Sequence, residues 1–199
     1  MKKTYFMRTF NLNLRLVLFS ISTFIITVFL DFMSASFEKS SLLPLFKLSN
    51  SISAFSNFTF ELSVGLLSLV TLLTTLELIK RFKSDSWINY FKSIKQTFNL
   101  RRFMRQSERS GKIVETQKVT IFNPINEKFN RAVRKSCIDV KNGEILVFIK
   151  IPSTQQTQKI LKELEAQIKE EISNQNPEYI FSNFERHRNQ LWLQGTKRK

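Results

Sequence analysis

The chain has 199 residues and a net charge of +15, from 31 basic and 16 acidic side chains. Its single cysteine excludes an internal disulfide, and its four glycines and one histidine disfavour phosphate-cradling loops and histidine-based metal sites. The length suits one ordinary domain, or a membrane hairpin followed by a small domain.

The positive charge is concentrated in one part of the chain. Residues 80–118 contain eleven basic and three acidic side chains, against six and four in residues 1–79 and fourteen and nine in residues 119–199. A basic block of this kind is typical of segments that lie against anionic lipid headgroups or nucleic acid.

An apolar, uncharged run over Leu16–Leu30 predicts a first membrane span at about residues 12–34. The twelve strongly apolar side chains between Leu16 and Phe32 favour insertion by about 4–7 kcal/mol. A cleaved secretory signal peptide is the alternative, because basic residues precede the run and small residues follow it at 34–36.

A second span is predicted over residues 58–79, FTFELSVGLLSLVTLLTTLELI. Basic residues precede the first span and follow the second, so the positive-inside rule places both termini in the cytoplasm and the loop over 35–57 outside. Glu61 and Glu77 are expected at the two interfaces. A stripe of small and hydroxyl residues on the second span is predicted to pack on the first span or on a partner: Gly65, Ser68, Thr71 and Thr75.

Residues 84–112 are predicted to form a basic amphipathic helix over 86–105 and a polar linker from Gln106 to Lys112. Its apolar stripe consists of Trp87, Tyr90, Phe91, Ile94 and Phe98. Such a helix lies in the headgroup region with its cations toward anionic lipid. The predicted lipid or phosphate contacts are Lys80, Arg81, Lys83, Lys92, Lys95, Arg101, Arg102 and Arg105.

Residues 113–199 have the pattern of a small cytoplasmic α+β domain with the order β-β-β-α-β-β. Asn142-Gly143 predicts a tight hairpin turn, and Ser153 with Gln156 has the spacing of a capping box at the start of the helix, which Asn176-Pro177 ends. The predicted strands are 118–122, 131–140, 144–151, 179–184 and 190–194.

Catalytic motifs are absent from the sequence. It contains neither G-x-x-x-x-G-K-[ST] nor G-x-G-x-x-G. We expect His187 to lie solvated in a turn and Cys137 to be a buried structural thiol. We therefore predict no catalytic residue, no metal and no cofactor, and no enzyme activity.

Three stretches together resemble a known family. They are ETQKVTIF at 115–122, AVRKSCIDVKNGEILVFIKI at 132–151, and the helix to Ile172. Following two spans and a basic segment, this layout resembles the N-terminal region of FtsK/TcpA-type coupling proteins of Gram-positive conjugative elements. Those proteins continue into a RecA-like motor with a nucleotide loop, which has no counterpart here. The resemblance implies oligomerisation at the membrane and contact with a DNA-transfer apparatus.

We therefore expect a non-enzymatic adaptor or scaffold, anchored in the membrane and facing the cytoplasm, in a conjugative DNA-transfer or secretion assembly. Its partners would be other proteins or copies of itself. A membrane-tethered nucleic-acid-binding protein is the alternative, with phosphate contacts from residues 101–109 and the tail 197–199. A transporter or channel subunit is disfavoured by the few polar groups in the spans.

Overall fold

The computed structural model describes residues 1–39, 43–106 and 123–198. These residues form two compact units, which we call the helical hairpin (Arg8–Ile79) and the domain (Met1–Met7 with Lys80–Lys199). The elements in chain order are α1 Tyr5–Glu38, α2 Leu43–Ser84, α3 Ile88–Met104, α4 Pro124–Val133, β1 Cys137–Val140, β2 Glu144–Lys150, α5 Gln155–Gln175, β3 Tyr179–Phe181, β4 Glu185–His187 and β5 Gln190–Lys197.

The two apolar runs form two long helices, α1 and α2, each long and apolar enough to cross a membrane. Both extend beyond the predicted spans. The predicted external loop over 35–57 is wrong in extent, because α1 continues to Glu38 and α2 begins at Leu43. Ser49 of this stretch forms hydrogen bonds with Ser34 of α1, and such packing stabilises helix where intrinsic propensity is low.

The domain contains a five-stranded antiparallel sheet with the order β1-β2-β5-β3, in which β4 also pairs with β5. The Asn-Gly hairpin between β1 and β2 is confirmed, with Val140 opposite Ile145. β2 lies between β1 and β5, and both of its faces are covered. Its odd residues contribute to the core beneath the helices, and Phe148 on the opposite face is 1% exposed.

The two faces of the sheet are covered by different parts of the chain. On one face, residues such as Val147 and Leu193 pack with α3, α4 and α5 in a single hydrophobic core. On the other face, Phe148 and Trp192 pair with ring centroids 5.2 Å apart. The N-terminal residues cover this second face, since Lys3 Nζ lies 3.8 Å from the centroid of the Phe148 ring.

The predicted order β-β-β-α-β-β is wrong within the described part of the domain. The predicted strand over 118–122 lies outside the described residues. Of the one over 131–140, the first three residues end α4, and only Cys137–Val140 is a strand, β1. Asn123-Pro124, which follows the predicted strand over 118–122, begins α4. The Asn123 side chain accepts hydrogen bonds from the backbone of Ile125 at 3.0 Å and Asn126 at 3.5 Å, and proline at the first helical position needs no backbone donor.

Smaller corrections concern the last part of the domain. The N-cap of α5 is Thr154, whose side chain makes no capping bond, so the capping box at Ser153 is wrong. The predicted strand over 179–184 stops at Phe181. The predicted turn after it contains a further strand, β4, whose His187 pairs with Gln190 of β5. Paired edge strands this short are difficult to recognise from alternation alone.

Candidate functional site

The helical hairpin has a polar interior and an apolar surface. The apolar window of each helix is only 17% buried. Its large hydrophobic side chains are exposed, for example Ile25 at 62% and Leu72 at 58%. Among the described residues from 11 to 79, every buried side chain is polar: Asn13, Ser20, Thr23, Thr27, Ser34, Ser49, Ser56, Thr59, Ser63 and Glu77.

The buried polar residues form a regular seam between α1 and α2. On α1 the seam repeats every seven residues at 20, 27 and 34, and on α2 at 49, 56 and 63, which is the period of a left-handed helix pair. Small residues at such positions let two backbones approach closely. Three hydroxyl pairs bridge the helices, Ser20–Ser63 at 3.1 Å, Thr27–Thr59 at 2.8 Å and Ser34–Ser49 at 3.0 Å.

The small-residue stripe predicted on the second span does not face α1. Gly65, Ser68, Thr71 and Thr75 are all exposed, and the hydroxyls of Ser68 and Thr71 bond back to their own helix. The face of α2 that packs on α1 is the one with Ser49, Ser56 and Ser63 instead. Of the two packing alternatives, only packing on a partner chain stays a prediction for this stripe.

In the domain, α3 has an inner face that binds the edge of the sheet. Asp85, which precedes α3, and side chains of α3 four residues apart, at 89, 93, 97 and 101, bond successively to the outer edge of β1 and its flanks. The spacing of these side chains along the helix matches that of the backbone groups along the strand, because four helical residues rise about 6 Å and two strand residues about 6.6 Å. The bonds are Asp85–Asn142 N at 3.0 Å, Asn89–Asn142 Oδ1 at 2.9 Å, Ser93–Val140 N at 2.9 Å, Thr97–Ile138 N at 3.0 Å and Arg101–Ser136 O at 2.9 Å.

This inner face has a clear consequence for recognition. The free edge of a sheet offers unpaired backbone groups to which an extended peptide can add as a further strand. The β1 edge is closed to such a partner because α3 already bonds its backbone.

Burial of the Arg101 side chain beside this edge lowers the pKa of its guanidinium from the ordinary value, and the neighbouring Cys137 partly offsets this shift.

A buried charge network continues the inner face toward α2. The side chains of Arg81, Asp85 and Asp139 are each no more than 5% exposed. The Arg81 guanidinium pairs with the carboxylate of Asp139, lies 3.4 Å from that of Asp85, and donates to the Val140 carbonyl at 3.0 Å. Arg81 was predicted to contact lipid or phosphate. That prediction is wrong, because its charge is satisfied inside the domain.

The outer face of α3 is aromatic and basic. Trp87, Phe91 and Phe98 are 57%, 56% and 46% exposed and form what we call the aromatic face. Lys95 and Arg102 are exposed alongside it. Tyr90, which was predicted in the same stripe, turns inward instead and packs edge-on against Phe6 at a centroid distance of 5.7 Å.

The remaining predicted lipid or phosphate contacts lie in two places. Lys80, Lys83 and Lys95 are exposed, and Lys80 Nζ lies 4.4 Å from the centroid of the Tyr5 ring. Lys92 is half-buried. Three arginines at the end of α3 instead line one cavity together with Arg134 of α4: Arg101, Arg102 and Arg105. Sequence reasoning missed Arg134, because its segment was assigned to a strand.

The two residues considered for catalysis are structural or solvated. Cys137 is fully buried in β1, as expected of a structural thiol. His187 is exposed at the end of β4, and its Nε2 lies 3.5 Å from the carboxylate of Glu185. Among the described residues, no group of three or more His, Cys, Asp or Glu side chains is arranged to hold a metal ion.

No family model, no curated protein and no solved structure matches this chain.

Proposed function

We propose that the chain is an integral membrane protein whose helical hairpin spans a bilayer and anchors the domain at the cytoplasmic face. The distribution of polarity in the hairpin supports this most strongly. In water a helix pair buries its apolar stripe and exposes its polar side chains. Here the hydroxyls face one another and the apolar side chains face outward, an arrangement that hydrocarbon stabilises and water does not.

Packing of the chain's first residues supports placing both termini on one side of the membrane. Residues 1–7 precede the hairpin and residues from 80 follow it, yet they form one compact unit. Lys3 lies on the Phe148 ring, and Phe6, which is 1% exposed, packs on Tyr90. A hairpin with two spans returns the chain to its starting side, where these contacts can form. The positive-inside rule makes that side the cytoplasm.

We expect the protein to stay in the membrane fraction after alkaline carbonate extraction and to expose only its interhelical loop outside the cell. In a Cys137→Ala background, a membrane-impermeant maleimide should label Lys39→Cys in intact cells. It should label Glu163→Cys, on the exposed face of α5, only after lysis.

Two results would contradict the proposal. Release of the chain by carbonate would exclude a membrane-spanning hairpin. Labelling of Glu163→Cys in intact cells would place the domain outside the cell.

The aromatic face of α3 suggests where the domain touches the bilayer. Tryptophan and phenylalanine next to cations are typical of helices that lie in the headgroup region. Phe82, which is 81% exposed in the last turn of α2, and the exposed Lys83 are a further aromatic and basic pair shortly before α3 in the chain. The aromatic face would hold the domain against the inner leaflet without any ligand-specific contact.

The chain's two tryptophans permit a matched test of this contact. Trp87 is exposed on the aromatic face, and Trp192 is fully buried. We expect brominated phosphatidylcholine to quench the fluorescence of Trp87 in full-length Trp192→Phe protein reconstituted in nanodiscs. The fluorescence of Trp192 in the Trp87→Phe protein is the control and should be unaffected. Equal quenching of both, or none, would refute the contact.

We propose that the domain attached to this anchor is an adaptor in a conjugative DNA-transfer or secretion assembly. The layout of two apolar helices, a basic segment and a small domain supports this proposal. Co-purification of the full chain from membranes with a motor ATPase or a relaxase encoded beside it would be the corresponding observation. Purification without any such protein from cells that express the neighbouring genes would count against it.

A further inference from the structure

The arginines at the ends of α3 and α4 line a cavity of about 260 Å³. Its apolar lining comes from Phe98 and Val133, and no described residue that lines it is acidic. The arginines are Arg101, Arg102, Arg105 and Arg134. A volume below the roughly 300–1,000 Å³ of sites for drug-sized ligands suits a small anion with a short substituent better than a large cofactor.

No described carboxylate neutralises the three exposed arginines of this cavity. Arg102, Arg105 and Arg134 are exposed, and none of them forms an ion pair with a described carboxylate. The only acidic residue of α4, Glu127, is paired with Arg131 at 3.1 Å. Three guanidinium groups around one cavity therefore repel one another unless an anion lies between them.

Helix ends account for only part of this arrangement. Both α3 and α4 end at the cavity, and basic side chains there stabilise the partial negative charge of the terminal carbonyls. Two helix ends contribute about −0.5 elementary charge each, or about −1 in total. Against the three exposed arginines this leaves a net charge of about +2, so stabilising the helices does not explain the whole cluster.

The cavity is also held in place by contacts that do not involve its exposed arginines. The Asn130 side chain joins α4 to the end of α3, accepting from the Gln106 amide at 3.0 Å and donating to the Gln106 carbonyl at 2.9 Å. The Arg101 side chain donates a hydrogen bond to the Ser136 carbonyl beside the β1 edge. The exposed arginines are thus presented by a preformed frame, which lowers the cost of ordering them around a ligand.

We propose that this arginine-lined cavity binds a phosphate group, supplied by a lipid headgroup or by a small soluble phosphate. Guanidinium groups bind phosphate oxygens in a bidentate manner, and Phe98 and Val133 would accept the apolar part of an ester substituent. The site belongs to the domain, so it does not depend on the proposed membrane hairpin.

The first test uses the full chain in non-ionic detergent and inorganic phosphate as the probe. Calorimetric titration should show binding that weakens by about tenfold for each arginine removed, hence about a hundredfold in Arg102→Gln/Arg134→Gln. The matched control, Lys159→Gln/Lys162→Gln on the exposed face of α5, removes the same charge and should change affinity less than about twofold. Unaltered circular dichroism and thermal transitions would show that both variants are folded.

A second arm separates the two sources of phosphate. In nanodiscs of phosphatidylcholine with added phosphatidylglycerol, a headgroup in the cavity would lower the affinity for inorganic phosphate relative to phosphatidylcholine alone. Arg102→Gln/Arg134→Gln would remove that difference. Equal phosphate affinity in the two nanodiscs assigns the site to a soluble phosphate.

Three outcomes would overturn the proposal. They are no phosphate binding by the unaltered chain in detergent, equal loss in the arginine and lysine variants, and binding of a single-stranded oligonucleotide where inorganic phosphate does not bind. The last outcome would assign the arginines to nucleic acid.

Discussion

Replacing Arg81 by alanine is expected to lower the free energy of unfolding of the domain by about 3–5 kcal/mol. The change leaves the carboxylate of Asp139, which is 1% exposed, without its cation, and it removes a donor to the Val140 carbonyl. It also removes the guanidinium that lies 5.5 Å and 5.7 Å from the ring centroids of Phe6 and Tyr90. Urea unfolding of the full chain in micelles would report this through Trp192 fluorescence in a Trp87→Phe background.

Two further variants identify the cause of this loss. Arg81→Met/Asp139→Leu should recover much of the stability, because removing both partners of a buried pair leaves no unpaired charge. Asp85 retains its bonds from Asn89 and Asn142 in that variant. Lys83→Ala, at an exposed site two residues away, should change the free energy of unfolding by less than about 0.5 kcal/mol. If the double variant unfolds as readily as Arg81→Ala, the unpaired carboxylate is not responsible.

Thr97→Val is expected to lower the free energy of unfolding by about 2–6 kcal/mol, although the two side chains have nearly the same shape. The Thr97 hydroxyl is fully buried, accepts from the Ile138 amide at 3.0 Å and donates to the Ile138 carbonyl at 3.2 Å. Valine leaves both backbone groups buried without this partner, at about 1–3 kcal/mol each. The same urea unfolding measurement applies.

Hydrogen exchange locates the effect of Thr97→Val. The amide of Ile138 should exchange faster in this variant, since its hydrogen bond to α3 is lost. Thr97→Ser retains the hydroxyl and should keep the Ile138 amide protected, with a smaller loss of stability from the missing methyl group. Unchanged exchange in Thr97→Val would mean that α3 does not close the β1 edge.

Both predictions concern contacts at the β1 edge, made by Arg81 of α2 and by the inner face of α3. That inner face completes the sheet through side chains at every fourth position, and the outer face of α3 presents Trp87, Phe91 and Phe98 to the surroundings. A helix bound to the sheet on one side holds its outer side chains in fixed positions.

Several parts of this architecture were predictable because the responsible interactions are local or depend on length. The apolar runs predict helices long enough for a bilayer, Asn142-Gly143 predicts the turn between β1 and β2, and Asn176-Pro177 ends α5. Each signal is contained in a few neighbouring residues or in the period of one element. The seven-residue repeat of Ser20, Thr27 and Ser34 is also present in the sequence, but which hydroxyl-bearing face packs on the other helix depends on contacts between the two helices.

The remaining features depend on partners that are distant in the chain. In the sequence, Arg81 belongs to a basic segment, and only the fold brings Asp139, 58 residues away, beside it. Asn123-Pro124 either ends a strand or begins a helix, and the packing of Phe129 and Val133 on the core decides for the helix. From the sequence alone, two membrane-length apolar helices, a basic segment and a small α+β domain are predictable. Which hydroxyls face each other, and which arginines are buried or line the cavity, depends on the tertiary structure. These contacts join residues that are far apart in the chain, so no local pattern predicts them.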